Sequence, residues 1–168
     1  MLAKTFLGKR TAAIIVTAIV GLGLAACAPP KAAAPAAGGG SPSDPYTASL
    51  FSALNADRAA NGLPTLSWNT TLANSATSWT QQMASANNLY HQNLSALLGS
   101  PTYAGFNTLG ENILDGPGSM TAAQVQNAWM NSPPHRANIT SASFNVVGIG
   151  YFRGPDGRIW AAQEFGGI

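Results

Sequence analysis

The chain has 168 residues, with 8 Lys+Arg, 6 Asp+Glu and a formal net charge of +2. Charged residues make up 8% of it, against about 25% in ordinary soluble domains, so surface polarity falls to Asn, Gln, Ser and Thr. The single cysteine excludes an intrachain disulfide and any Cys-based zinc site. A cut before Cys27 leaves five basic residues against six acids, a charge of −1, which removes nucleic acid as a default partner.

That cut is suggested by the N-terminus. Lys4, Lys9 and Arg10 precede a nearly unbroken apolar run from Thr11 to Ala26, shorter than the roughly 20 residues a transmembrane helix needs. The run ends Leu24-Ala25-Ala26-Cys27. Small residues before the sole cysteine resemble a bacterial lipobox, in which the thiol is acylated and becomes the first residue of the mature chain. The expectation is a lipoprotein signal peptide over residues 1–26 and export, with lipidated Cys27 anchoring the protein to the outer face of a bacterial membrane. An ordinary signal peptide with an incidental cysteine is the alternative. Residues 27–45 then form a linker rich in Ala, Pro and Gly, with no apolar period and too little surface to bury. Its reach is about 25 Å as a flexible chain and about 55 Å as extended polyproline.

Residues 46–168 are expected to fold as one domain, with four Trp and five Phe for a core. Asp44 is placed to cap a helix over Pro45 to Ala60, with Tyr46, Leu50, Ala53 and Leu54 on one face and Asn61-Gly62 as its stop. Asn69 caps a second helix, Thr70 to Ala86, whose Leu72, Ala76, Trp79 and Met83 recur at helical spacing. Tyr90 to Leu98 reads as a short helical or irregular piece and Pro101 to Asn107 as loop. Leu109 to Leu114 is a candidate strand. A helix over Thr121 to Asn131, capped by Ser119 or Thr121, turns Val125, Ala128 and Trp129 inward, and Pro133-Pro134 starts a further turn through Ile139. The period then changes: Val147, Ile149 and Tyr151 alternate with glycines, and Gly154-Pro155-Asp156-Gly157 joins them to a returning strand over Arg158 to Phe165. Helices early and a small sheet late predict an α+β fold.

The domain has two histidines, His91 and His135, and five acids. Asp57 reads as half of a solvated pair with Arg58, and Asp115 and Asp156 read as turn residues. Only Glu111 and Glu164 lie among apolar strand residues, where a charge needs a partner or a reason. Any constellation of titratable groups is therefore drawn from His91, Glu111, His135 and Glu164. His135 as a turn cap and His91 as a surface residue remain the structural alternatives.

Larger segments carry a resemblance. Leu50 to Pro64, Gly110-Glu111-Asn112-Ile113, Ala128 to Ile139, Val147-Gly148-Ile149-Gly150 and Gln163-Glu164-Phe165-Gly166 occur in order. Together they resemble the bacterial branch of the CAP superfamily, whose defining module is the SCP-like extracellular domain. The resemblance implies a three-layer α–β–α sandwich around a small antiparallel sheet, and a cleft holding two histidines and two glutamates. By motif, His91 and His135 match the histidines and Glu111 one glutamate. The other glutamate normally precedes the second histidine on a helix. Trp129-Met130-Asn131 stands there instead, so the tetrad that the resemblance implies is incomplete, with Glu164 a further carboxylate nearby in pattern. Asn112, Asn131, Arg136 and Asn138 are supporting candidates; local backbone groups are the expected partners of Asn112, Arg136 and Asn138, with ligand contact as the alternative.

Two imidazoles and Glu111 suit a divalent metal such as zinc or magnesium, and hydrogen bonding alone would equally hold them together, so no cofactor is required. The favoured function is a non-enzymatic binding module, its cleft holding a lipid, glycan or peptide ligand from the envelope. The alternative is a metal-dependent hydrolase acting on peptide or cell-envelope substrates, with Glu111 as base. The chain has no His-Glu-x-x-His motif and no Gly-x-Ser-x-Gly elbow. A purely structural envelope domain is the third reading.

Overall fold

The computed structural model describes residues 41–168. The signal-peptide and lipidation readings, Cys27 included, and most of the linker lie outside the described residues. Five helices are present among them: α1 (Pro45–Ala60), α2 (Thr70–Ala86), α3 (Leu94–Leu98), α4 (Ala122–Asn131) and α5 (Pro133–Ile139). Four strands accompany them: β1 (Ser67–Trp68), β2 (Thr108–Gly116), β3 (Val146–Arg153) and β4 (Ile159–Gly167).

The caps follow from local chemistry. The Asp44 carboxylate accepts from the backbone N–H of Tyr46 and Thr47 at 2.9 Å each, and Asn69 accepts from Leu72 at 3.1 Å. Thr121 and Gln124 form a reciprocal capping box at the start of α4. Helix α2 ends at Asn87 with φ 46°, a left-handed conformation that Asn tolerates better than most residues. A short 3-10 turn, Pro101–Tyr103, stands in the segment expected to be loop.

The strand order is β1-β3-β4-β2. Strand β4 pairs antiparallel with both β3 and β2, as the hairpin and the candidate third strand required. Strand β1 pairs parallel with β3 through Ser67 and Trp68. This two-residue edge departs from a purely antiparallel sheet, and two residues carry no readable alternation.

Period-two side chains divide β4 between two layers. Ala161 and Phe165 join Leu50, Leu54, Val125, Trp129 and Ile139 from α1, α4 and α5. Trp160 and Ala162 pack with Ala76 and Met83 of α2 on the other face. The result is the expected three-layer α–β–α arrangement. Gly148 and Gly150 allow α2 to sit directly on β3. A Cβ at Gly148 would lie 2.0 Å from the Ala73 nitrogen, and one at Gly150 would lie 2.2 Å from the Ala76 carbonyl carbon.

Two sequence expectations are corrected. Arg58 is not half of a solvated pair: it is 1% exposed, and its guanidinium donates to the carbonyls of Pro64, Ile139, Ser141 and Phe144. Four carbonyls replace the lost water, so the charge is solvated by backbone and ties α1 to the chain entering β3. Asp115 is not a turn residue: it lies within β2 and pairs with Arg158. Asp156 does occupy the hairpin turn, accepting from the Arg158 N–H at 3.0 Å.

Candidate functional site

Glu111 and Glu164 are direct cross-strand partners in the β2–β4 ladder. Opposed residues project from the same face, so the period-two pattern places two carboxylates side by side on the α2 face. Both residues are buried. Like charges there are destabilising unless something intervenes.

The intervening group is Gln92, a residue that no signal in the sequence marks. Its carboxamide nitrogen donates to Glu111 Oε2 at 3.0 Å and to Glu164 Oε1 at 2.5 Å, and its backbone N–H donates to Glu111 Oε1 at 3.1 Å. The Tyr103 hydroxyl lies 3.4 Å from Glu164 Oε2. His91 completes the set, with Nδ1 2.7 Å from Glu111 Oε1. The segment between α2 and α3 thus closes over the carboxylates with His91 and Gln92. No pattern rule distinguishes Gln92 from the other glutamines in the chain.

Burial pushes the Glu164 carboxyl up to about 7, and the Glu111 charge adds to the rise, while hydrogen bonds from Gln92 and nearby hydroxyls oppose it. Burial likewise raises Tyr103, with the Glu164 and Glu111 charges acting in the same direction. The raised Glu164 carboxyl therefore holds its proton further toward neutral pH than a solvated one would, which eases the repulsion that the register imposes.

His91 and His135 differ in setting. The His91 side chain is 58% exposed while that of Glu111 is fully buried. With Nδ1 engaged by the carboxylate, a neutral His91 ring keeps its free lone pair on Nε2. His135 is half-buried on α5, and its pKa is lowered by burial first and by the His91 charge second. Both rings therefore belong to one electrostatic neighbourhood.

Helix α5 is fixed beside β2 by amides. Asn138 donates to the Glu111 carbonyl at 3.1 Å and to Asn112 Oδ1 at 2.9 Å, and Asn112 donates to the His135 carbonyl at 3.1 Å. The network continues inward from Asn112 to Gln163, from Gln163 to Gln126, and from Gln126 to Asp57, at 3.1, 2.8 and 2.8 Å. Asn112, Gln126 and Gln163 are buried on the face opposite the carboxylates. The partners expected for Asn112 and Asn138 were local; both instead join elements distant in sequence. Arg136 does make a local contact, donating to the Met130 carbonyl at 3.4 Å. Asn131 is exposed at the end of α4, apart from this network.

The structure thus brings His91, Glu111 and Glu164 together around Gln92 and sets His135 nearby. Among the described residues, no three His, Cys, Asp or Glu side chains form a group suited to a metal ion. Glu111 is occupied at both oxygens by His91 and Gln92, which leaves the two imidazoles as the available donors.

The family model described as CAP, the cysteine-rich secretory protein family, matches residues 51–165. The uncharacterized protein YkwD of Bacillus subtilis (strain 168) is 35% identical over 132 residues, covering 72% of this chain and 47% of that protein. The chain therefore spans about half the length of this relative. Similar structures include an outer surface protein from Borrelia burgdorferi. It has a TM-score of 0.62 and 20% identity, over 70% of this chain and 89% of that one. An extracellular protein containing an SCP domain from Bacillus anthracis str. Ames has a TM-score of 0.60 and 23% identity, over 77% of this chain and 45% of that one.

Proposed function

Because the chain belongs to the CAP family of cysteine-rich secretory proteins, we propose that it is an exported, envelope-anchored binding module whose His/Glu cleft holds a largely uncharged ligand. One observation carries this reading. Every oxygen of Glu111 is already engaged, Oε1 by His91 and the Gln92 N–H and Oε2 by the Gln92 carboxamide. A carboxylate held this way is a fixed acceptor and a poor proton shuttle, since a general base must be free to reach a substrate proton. The Gln92 bridge and the amide-fixed α5 give a preorganised polar wall, as ligand sites require.

The ligand is a lipid, glycan or peptide from the envelope. Low charge in the domain supports a neutral ligand and argues against nucleic acid. Anchoring through Cys27 and the linker would hold the cleft near the outer face of the membrane.

The hydrolytic alternative makes a distinct forecast. Peptide, ester and peptidoglycan substrates are offered to the wild type and to Glu111→Gln. We expect no turnover that depends on Glu111. Turnover abolished by Glu111→Gln would restore the hydrolase reading.

A second reading concerns metal, favoured by the His91–Glu111 contact. A carboxylate on one imidazole nitrogen orients the other toward an ion. His91 Nε2 and His135 suit zinc better than magnesium, which prefers oxygen donors. In this arrangement Glu111 supports a ligand and is not itself one. Bound zinc would supply a Lewis-acid contact for a ligand oxygen. Zinc calorimetry of the wild type beside a His91→Ala/His135→Ala variant tests this, and identical heats from both proteins would remove the metal.

A further inference from the structure

At the end of the sheet opposite the Glu111 edge, a groove of about 340 Å³ opens where α1, β1, α2 and β3 meet. Its volume falls at the small end of the roughly 300–1,000 Å³ typical of small-molecule sites. Two aromatic rings line it, Trp68 from β1 and Tyr151 from β3, both half-buried. Each is braced from behind. Trp68 meets Phe51 edge-to-face at 5.4 Å, and Tyr151 stacks on Tyr46 at 4.1 Å. Rings held in this way lose little freedom when a ligand settles on them.

The polar groups of the groove fall into two sets. Asp44, Thr47 and Thr77 are committed internally, Asp44 to the N-terminus of α1, Thr47 to the Asp44 carbonyl at 2.9 Å and Thr77 to the Ala73 carbonyl at 2.8 Å. Thr70 and Asn74, exposed on the first turns of α2, also line the groove. Neither of these two side chains has a hydrogen-bond partner among the described residues, and the same holds for the Trp68 indole N–H and the Tyr151 hydroxyl. Uncommitted side chains of Thr70 and Asn74 thus flank two fixed aromatic surfaces, each with a polar end of its own. The Glu111 region is the reverse, with its amides and carboxylates bonded to one another.

Ligand class follows from this composition. Among the described residues no cation lines the groove and its one acid is Asp44, so an anionic ligand has nothing there to pair with. Ile149 and Ala73 are its buried apolar residues, too small a surface for an acyl chain. A ring with an apolar face and a rim of hydroxyls matches both features, stacking on the aromatics while its rim meets amide and hydroxyl groups. We propose that this groove is a second binding site, distinct from the His/Glu cleft, for a neutral oligosaccharide. Trp68 and Tyr151 serve as stacking faces, and Asn74 and Thr70 as hydrogen-bonding ends. Ser41 and Ser43 form one wall, so a sugar held there lies where the domain joins its linker.

The test is a ¹H–¹⁵N NMR titration of the protein with N,N′-diacetylchitobiose, and separately with cellobiose. With at least one disaccharide, the expected result is a progressive shift of the Trp68 indole and Asn74 carboxamide resonances, at affinity of about 1 mM. Asn74→Ala and Trp68→Ala should each weaken binding by about tenfold, and His91→Ala should leave it unchanged. Asn74 is exposed, so its variant keeps the test decisive even where Trp68→Ala loses the Phe51 contact and fails to fold. No shift with either sugar would overturn the proposal. So would shifts centred on His91 and Gln92, or unchanged affinity in Asn74→Ala. Equivalent shifts from a Gly-Ser-Pro-Ser peptide, the sequence of residues 40–43, would assign the groove to the linker instead.

Discussion

Glu111 and Glu164 face each other across the β2–β4 ladder, and a single carboxamide, that of Gln92, bridges them. The arrangement couples strand register to protonation. Two buried carboxylates in direct opposition are tolerated because one of them holds its proton to about pH 7.

Stability should therefore fall as pH rises. The Glu164 carboxyl is raised from 4.5 to about 7 by burial, so the folded state binds more protons than the unfolded chain between those values. Its contribution is complete below about pH 4.5 and is lost as pH climbs through about 7, at a cost on the order of 3 kcal/mol. Glu164→Gln keeps the shape without the charge. It should raise the melting temperature at pH 8 and flatten the profile between pH 5 and 8. Parallel wild-type and variant profiles would show that Glu164 does not carry the effect.

Arg58 should be among the costliest single positions in the domain. Truncation to Ala leaves the carbonyls of Ile139 and Phe144 unpaired in a buried setting, a loss of about 3–5 kcal/mol. Arg58→Lys should fall short by about 2 kcal/mol, since a tetrahedral ammonium does not reproduce the planar fork. Urea denaturation measures both.

The amide chain from Asp57 to Asn138 predicts coupling across the sheet. Gln163→Leu deprives Gln126 Oε1 and Asn112 Nδ2 of a partner at once, costing about 2–4 kcal/mol. Helix α5 should loosen with it. Amide hydrogen exchange over residues 133–139 should quicken more than in the rest of the domain. A uniform change would mean that the chain stabilises the fold without positioning His135.

Much of the fold was legible because its signals are local. Capping residues, Pro-Pro and a change from helical to alternating period locate α1, α2, α4, α5 and the β3–β4 hairpin. Two-residue β1 escaped because alternation needs length to register. Glu111 and Glu164 stood out as charges among apolar strand residues, yet their opposition depends on strand pairing, a long-range property. Gln92 and Gln163 were invisible for a different reason. A neutral amide carries no periodic or charge signal, and its role appears only when distant elements bring partners to it. Arg58 misled because a helical Asp-Arg pair is ordinarily exposed; its burial is set by the loop after α5, some 80 residues away.

The most direct test of the binding account is native mass spectrometry of the protein purified from a producing host and sprayed at neutral pH. The account predicts a non-covalent adduct of a neutral small molecule, lost in a Gln92→Ala/His135→Ala variant that still folds. Bare protein in every preparation, or an adduct retained undiminished by that variant, would contradict the claim that this cleft holds the ligand.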